Sequence, residues 1–277
     1  HYICFYRKLS DVFMRGIFLF VMATLFANSM QGQEKLEVEF IRNQIDSGNH
    51  YIYSDVKKAA FFYTEAQVAA LNLQNDTLLA QIYVGFAVME RLRANYSKAL
   101  ASHQKALDIH LRLKDQRFIA TDYHNIGALF RYTEDYEQAK EYLQKGLLLR
   151  EALRDSSELP ISYMQIGVVC RKMKQLDSAA YYYDRAYEIA RAKSDRKMLV
   201  KVNGNRAALE HYRKNYQKAI EINLSDISYL EANEDSHSLT TRYNNIARAY
   251  DRLENYPLAI EYISKSIEID QRERYRK

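Results

Sequence analysis

The chain has 277 residues and a net charge of +5, with 8 Gly, 2 Pro and no Trp against 24 Tyr. So few glycines and prolines, in a chain rich in Ala, Leu, Glu, Lys and Gln, leave little material for strands and tight turns and favour helices. The charge is too mild and too dispersed for a nucleic-acid binder, which clusters its basic residues in a larger excess.

The first element in chain order is an apolar run, residues 17–27 (IFLFVMATLFA), with Arg15 ahead of it and the polar, small-residue stretch NSMQGQ behind. That order is the layout of a secretory signal peptide. The run is too short to span a bilayer comfortably, which takes about 20 residues. Residues 1–33 are therefore read as a leader, with Met14 as its start, and residues 34–277 as the mature array, exported to a periplasmic or membrane-associated position. A buried first helix is the alternative. Of the two cysteines, Cys4 falls in the leader and Cys170 in an apolar stripe, so no disulfide framework is expected.

Beyond the leader the chain repeats itself. The pentapeptides NYSKA at Asn95, DYEQA at Asp135, QLDSA at Gln175, NYQKA at Asn215 and NYPLA at Asn255, with a weaker forerunner at Asp55, end on alanines 59, 99, 139, 179, 219 and 259, each 40 residues from the next. A fixed period of this size marks stacked supersecondary units rather than one central core. Ahead of each pentapeptide, large and small residues share one helical face: Tyr123, Ile126, Gly127 and Phe130; Tyr163, Ile166, Gly167 and Cys170; Tyr243, Ile246, Ala247 and Tyr250; less fully Tyr83, Phe86, Ala87 and Glu90. After it a second stripe begins, as in Ala139, Tyr142, Leu143, Gly146 and Leu147. Each unit thus reads as two antiparallel helices, with Asp115, Asp155, Asp195 and Asp235 as N-caps at the junctions. Pro257 suits the first turn of the last helix.

The order Tyr123-x2-Ile126-Gly127-x2-Phe130, then Ala139, Leu143 and Gly146, resembles the tetratricopeptide repeat signature, usually 34 residues long. The resemblance covers roughly residues 36–273 and implies an all-α, right-handed α-solenoid of about six stacked helix hairpins. The six additional residues per unit are expected in a longer second helix or in the loop after it. Two departures stand out. The first unit, around Leu36, Phe40, Ile41 and Ile45, lacks the small-residue slot and reads as a cap, whereas the array ends without one. In the fifth unit the expected face becomes Asn203, Arg206, Ala207 and Glu210, while Leu199, Val202 and Leu209 carry the apolar stripe, so that helix is expected to be rotated or to expose a special surface.

Repeat arrays of this kind present their first helices to a ligand groove. In register there, Asn125, Gln165, Asn205 and Asn245 form one column, and Arg91, Arg131 and Arg171 a second, with Arg248 beside them. Amides can hold the backbone of an extended peptide, and guanidinium groups its carboxylates. The same pattern also fits amides bonded to neighbouring helices and a solvated arginine face. Tyr63, Tyr136, Tyr142 and the run Tyr181, Tyr182 and Tyr183 read as packing between repeats, with an aromatic ligand surface as the alternative. The seven histidines show no metal-ligand spacing, and no phosphate-binding glycine loop occurs, so neither metal nor cofactor nor catalysis is expected. The resemblance implies a protein or extended-peptide partner, with self-association open and membrane contact only through the leader or a segment beyond Lys277. It further implies the exported sensor region of a membrane-bound regulator; a free-standing adaptor and a binding region of an envelope enzyme are the alternatives.

Overall fold

The computed structural model describes residues 32–154 and 157–275, and every regular element among them is an α-helix. In order these are α1 (32–51), α2 (Val56–Asn72), α3 (Asp76–Leu92), α4 (Tyr96–Leu113), α5 (Gln116–Tyr132), α6 (Tyr136–Ala152), α7 (Leu159–Lys172), α8 (Leu176–Ala192), α9 (Arg196–Tyr212), α10 (Tyr216–Ala232), α11 (Ser236–Arg252) and α12 (Tyr256–Tyr275). The leader falls almost wholly outside the described residues. Among those described, no helix is long and apolar enough to cross a membrane.

The turns reveal a finer period than the sequence motif did. Gln74, Ala94, Lys114, Glu134, Arg154, Lys174, Ser194, Lys214, Glu234 and Glu254, each twenty residues from the next, all carry a positive φ between 50° and 64°, and none is glycine. Each ends a helix in the left-handed conformation that lets the chain reverse. At Lys174 the hydrogen bonds are those of a Schellman turn, with Lys174 N–H donating to Arg171 O at 3.1 Å and Gln175 N–H to Cys170 O at 2.9 Å. The residue closing the turn then begins the next helix. Asn75, Asp135, Asp195 and Asp235 accept the amide protons of Leu78, Gln138, Met198 and Ser238 in this way. Asp115 accepts those of Arg117 and Phe118. Asp155 lies outside the described residues, and α7 is instead entered through Glu158 and Pro160. After α4, α8 and α10 the connection is as short as the turn inside a hairpin, so there the additional residues of the 40-residue unit lie in the helices and not in a longer loop; only α6 and α7 are joined by a longer stretch, residues 153–158.

The chain divides into two compact units, one ending at Leu113 and the other starting at Lys114. In the first, Ile41, Tyr63, Ala66, Ala70 and Ile82 are wholly buried, and the Tyr63 hydroxyl donates to Asn49 Oδ1 at 2.8 Å. The first hairpin does contain a close-approach residue, one position away from the expected slot: a Cβ on Gly48 would stand 2.7 Å from the Tyr63 ring. Ile41 and Ile45 are buried as read, whereas Leu36 and Phe40 are exposed.

In the second unit each helix packs on its chain neighbours, and the first helices α5, α7, α9 and α11 also touch in succession, forming one layer. The small-residue slot has the anticipated use. A Cβ at Gly167 would stand 2.6 Å from the buried Tyr183 ring, so α7 and α8 approach more closely than any side chain there permits. The reading of α9 as rotated needs correction, because Leu199, Val202 and Leu209 are buried and so are Asn203, Ala207 and Glu210, with Arg206 alone of that face partly exposed. Polar partners make this burial possible. Asn203 donates to Asp226 at 2.9 Å, Arg242 pairs with Asp226 at 3.1 Å and donates to Val200 O, and Gly204 leaves room for that guanidinium. Glu210 accepts from Asn215 and Lys218. A buried carboxylate and guanidinium must pair and saturate their hydrogen bonds to be tolerated.

Candidate functional site

The amide column takes its place on the first-helix layer of the second unit, with Asn125 on α5, Gln165 on α7, Asn205 on α9 and Asn245 on α11, each partly exposed. Asn205 is turned back on its own helix, donating to Lys201 O at 3.1 Å. That bond uses one of its two amide protons and leaves the second, with Oδ1, for another partner. Arg91 lies on α3 in the first unit, partly exposed. Arg131 and Arg171 are partly exposed, with the Nε of each buried.

The structure brings three of the eight residues together. Arg171, Asn245 and Arg248 line a cavity of about 180 Å³ between α7, α9, α10 and α11, with His211, Tyr212 and Asn223 completing it. Arg171 reaches this cavity from the last turn of α7, its guanidinium 5.8 Å from the Tyr212 ring centroid. It also lies beside the buried Tyr183 hydroxyl, whose pKa burial raises and Arg171 partly lowers. Arg248 is exposed at the mouth. Burial, followed by the charges of Arg248 and Arg252, holds His211 below the usual histidine range and so favours its neutral form.

His211, Tyr212 and Asn223 are members that the sequence did not single out, and Asn223 is the one that carried a signal. It occupies the slot filled by Tyr63, His103, Leu143 and Tyr183 in earlier second helices, so a polar residue in an otherwise enclosed position was the available signal. Only 1% exposed, it donates to Ala219 O at 2.7 Å, and this leaves its Oδ1 buried and unsatisfied. The cavity thus offers two guanidinium groups, an imidazole and a buried acceptor, and none of its lining residues is a carboxylate. That donor set suits an anionic oxygen group with an N–H nearby, the combination found in a peptide. The described residues contain no group of three or more His, Cys, Asp or Glu able to hold a metal.

Elsewhere on the layer, His124 stands against Arg150 and Arg131, and burial together with these two charges lowers its pKa to about 4. Of the tyrosines assigned to packing, Tyr63 and Tyr183 are fully buried, Tyr136, Tyr142 and Tyr182 partly so, and Tyr181 is 59% exposed.

Comparison with known proteins agrees with this architecture. Tetratricopeptide repeat models match residues 78–152, 161–193 and 241–273. The chain belongs to the tetratricopeptide repeat family. No curated protein matches the sequence. Among solved structures, similarity extends to a signal transduction ATPase with numerous domains from Pyrococcus horikoshii, described as having a tetratricopeptide repeat sensor. The TM-score there is 0.73 at 16% identity, over 84% of this chain and 37% of that one. Aspartyl phosphate phosphatase F from Bacillus subtilis matches with a TM-score of 0.66 at 18% identity, over 85% of this chain and 61% of its own length. A Rap protein in complex with competence and sporulation factor gives 0.64 at 18% identity, over 87% and 66%. The chain therefore spans less than two thirds of each of these proteins, and at such identities the likeness is one of fold.

Proposed function

We propose that the protein is a peptide- or protein-binding module without chemistry of its own, and that the cavity between α7, α9, α10 and α11 anchors an acidic group of an extended ligand. The observation that carries this reading is the convergence of Arg171, His211 and Arg248 on one opening that is also lined by Asn223, whose buried Oδ1 has no hydrogen-bond partner. A buried polar atom left unpaired costs about 1–3 kcal/mol, a cost that a bound amide would remove. The likeness in fold to a Rap protein complexed with competence and sporulation factor supports the same use of the fold. The test is fluorescence anisotropy with an array of extended peptides, each with free, amidated or Asp- and Glu-substituted ends. Carboxylate-bearing peptides should bind selectively. Arg171→Ala and Arg248→Ala together should weaken them by at least about tenfold, the loss of one charge-assisted hydrogen bond. Selection of uncharged peptides, unaffected by these substitutions, would refute it.

In its finer form the proposal is that this module is the exported sensor region of a membrane-bound signalling regulator, with a free-standing periplasmic adaptor as the alternative. It rests on the charge, apolar and small-residue order of residues 1–33. Mature protein recovered from the cell envelope should begin near residue 28 to 34. An intact leader in a cytosolic fraction would overturn the localisation.

A further inference from the structure

A second cavity, of about 400 Å³, opens along α6, α7 and α8, away from the arginine cavity. Its walls are Tyr163, Tyr181 and Tyr182, with Leu148 and Glu151 beside them. Tyr181 and Tyr182 stand 5.3 Å apart at 75°, and Tyr163 and Tyr182 stand 6.3 Å apart at 37°, so the rings line the opening at different inclinations instead of stacking. Tyr181 is 59% and Leu148 65% exposed.

The charges around this opening are unevenly satisfied. Lys145 is paired with Glu141 at 2.7 Å and Arg185 with Glu188 at 3.3 Å, each on its own helix. Arg185 also lies 5.7 Å from the Tyr163 ring centroid and hydrogen-bonds the Tyr163 hydroxyl, yet is not among the lining residues. Glu151 accepts a hydrogen bond from the Tyr163 hydroxyl and forms no ion pair among the described residues. Tyrosine faces beside a carboxylate that no cation pairs with directly are complementary to a cationic ligand.

An internal comparison separates packing from what has been added to it. Two repeats further on, Tyr243 donates to Glu231 at 3.2 Å and stands 5.9 Å from Tyr262, reproducing Tyr163, Glu151 and Tyr182. There, however, Glu261 occupies the slot of Tyr181 and Ser228 that of Leu148. The Tyr–Glu bond is thus part of how hairpins stack. The exposed Tyr181 and Leu148 are not required for it, and they are what turn the α6–α8 edge into an aromatic opening.

We propose that this opening binds an organic ammonium, specifically a quaternary or methylated one, with its methyl groups against Tyr181 and Tyr182 and its charge opposite Glu151. A methylated ammonium is weakly hydrated and gives up little on leaving water for aromatic faces, whereas a lysine ammonium is compact and strongly hydrated. The test is calorimetric titration of the purified full chain with choline chloride, beside the neutral isostere in which carbon replaces the nitrogen and beside lysine amide. Circular dichroism follows the fold of two variants, Tyr181→Ala and Glu151→Gln. The expected result is saturable choline binding, weakened about tenfold by the isosteric change and by each substitution, with unchanged helicity. Equal binding of the neutral isostere would reduce the opening to an apolar notch. Preference for lysine amide would reassign it to an unmodified protein side chain. Absence of saturable choline binding would also overturn the proposal.

Discussion

Lys214 and Lys201 are both exposed lysines, thirteen residues apart, yet glycine should act on them with opposite signs. Lys214 sits at φ 64° in the turn after α9, where an L-residue is strained by about 1–2 kcal/mol relative to its preferred regions. Glycine removes that strain and adds about 0.5–1 kcal/mol of unfolded-chain entropy, so Lys214→Gly should stabilise the protein by about 0.5–1 kcal/mol. Lys201 lies within α9, where glycine costs about 1 kcal/mol. Both variants lose one exposed lysine charge, so their difference, about 1.5–2 kcal/mol, isolates the backbone term. Urea unfolding followed by far-ultraviolet circular dichroism reads it as midpoint shifts in opposite directions at an unchanged slope. Shifts of the same sign would refute the assignment of the left-handed residue as the strained element of each turn.

His124 predicts a pH dependence. Its pKa is about 4 in the folded chain against 6.5 for the free side chain, so the unfolded state takes up a proton between these values that the native state refuses. The contribution is fully present above pH 6.5 and is lost as pH falls toward 4, amounting to about 3 kcal/mol at most. His124→Gln should flatten the stability profile over that window, measured by urea midpoints; an unaltered profile would contradict it. For the polar cluster under α9, Arg242→Met leaves the Asp226 carboxylate buried without its cation and should cost about 3–5 kcal/mol, and adding Asp226→Leu should recover a large part of this. If the double variant is as unstable as the single one, the cost comes from lost packing and not from the stranded charge.

Much of the fold was legible because the repeat writes the same physical requirement many times. Gly127 and Gly167 stand where a neighbouring helix leaves no space for a Cβ, and Asp115, Asp195 and Asp235 stand where free amide protons need an acceptor. Such demands are local to a turn or a single helix pair, and residue type answers them directly. The Asn203 slot was misread for the opposite reason. Its acceptance into the interior depends on Asp226 and Arg242, which are 23 and 39 residues away, and on the space over Gly204.

Period, helix hairpins, caps and most of the buried stripe were thus determined by the sequence itself, since each follows from spacing along one or two helices. Which members of a repeated column can act on a ligand was decided only by the tertiary structure. Asn205 and Asn245 share a slot, but one side chain turns back on its own backbone while the other lines a cavity with Arg171, Arg248 and Asn223. The repeat sets the direction from which a side chain starts. Its neighbours on three other helices, differing from unit to unit, set whether it is paired, covered or left open.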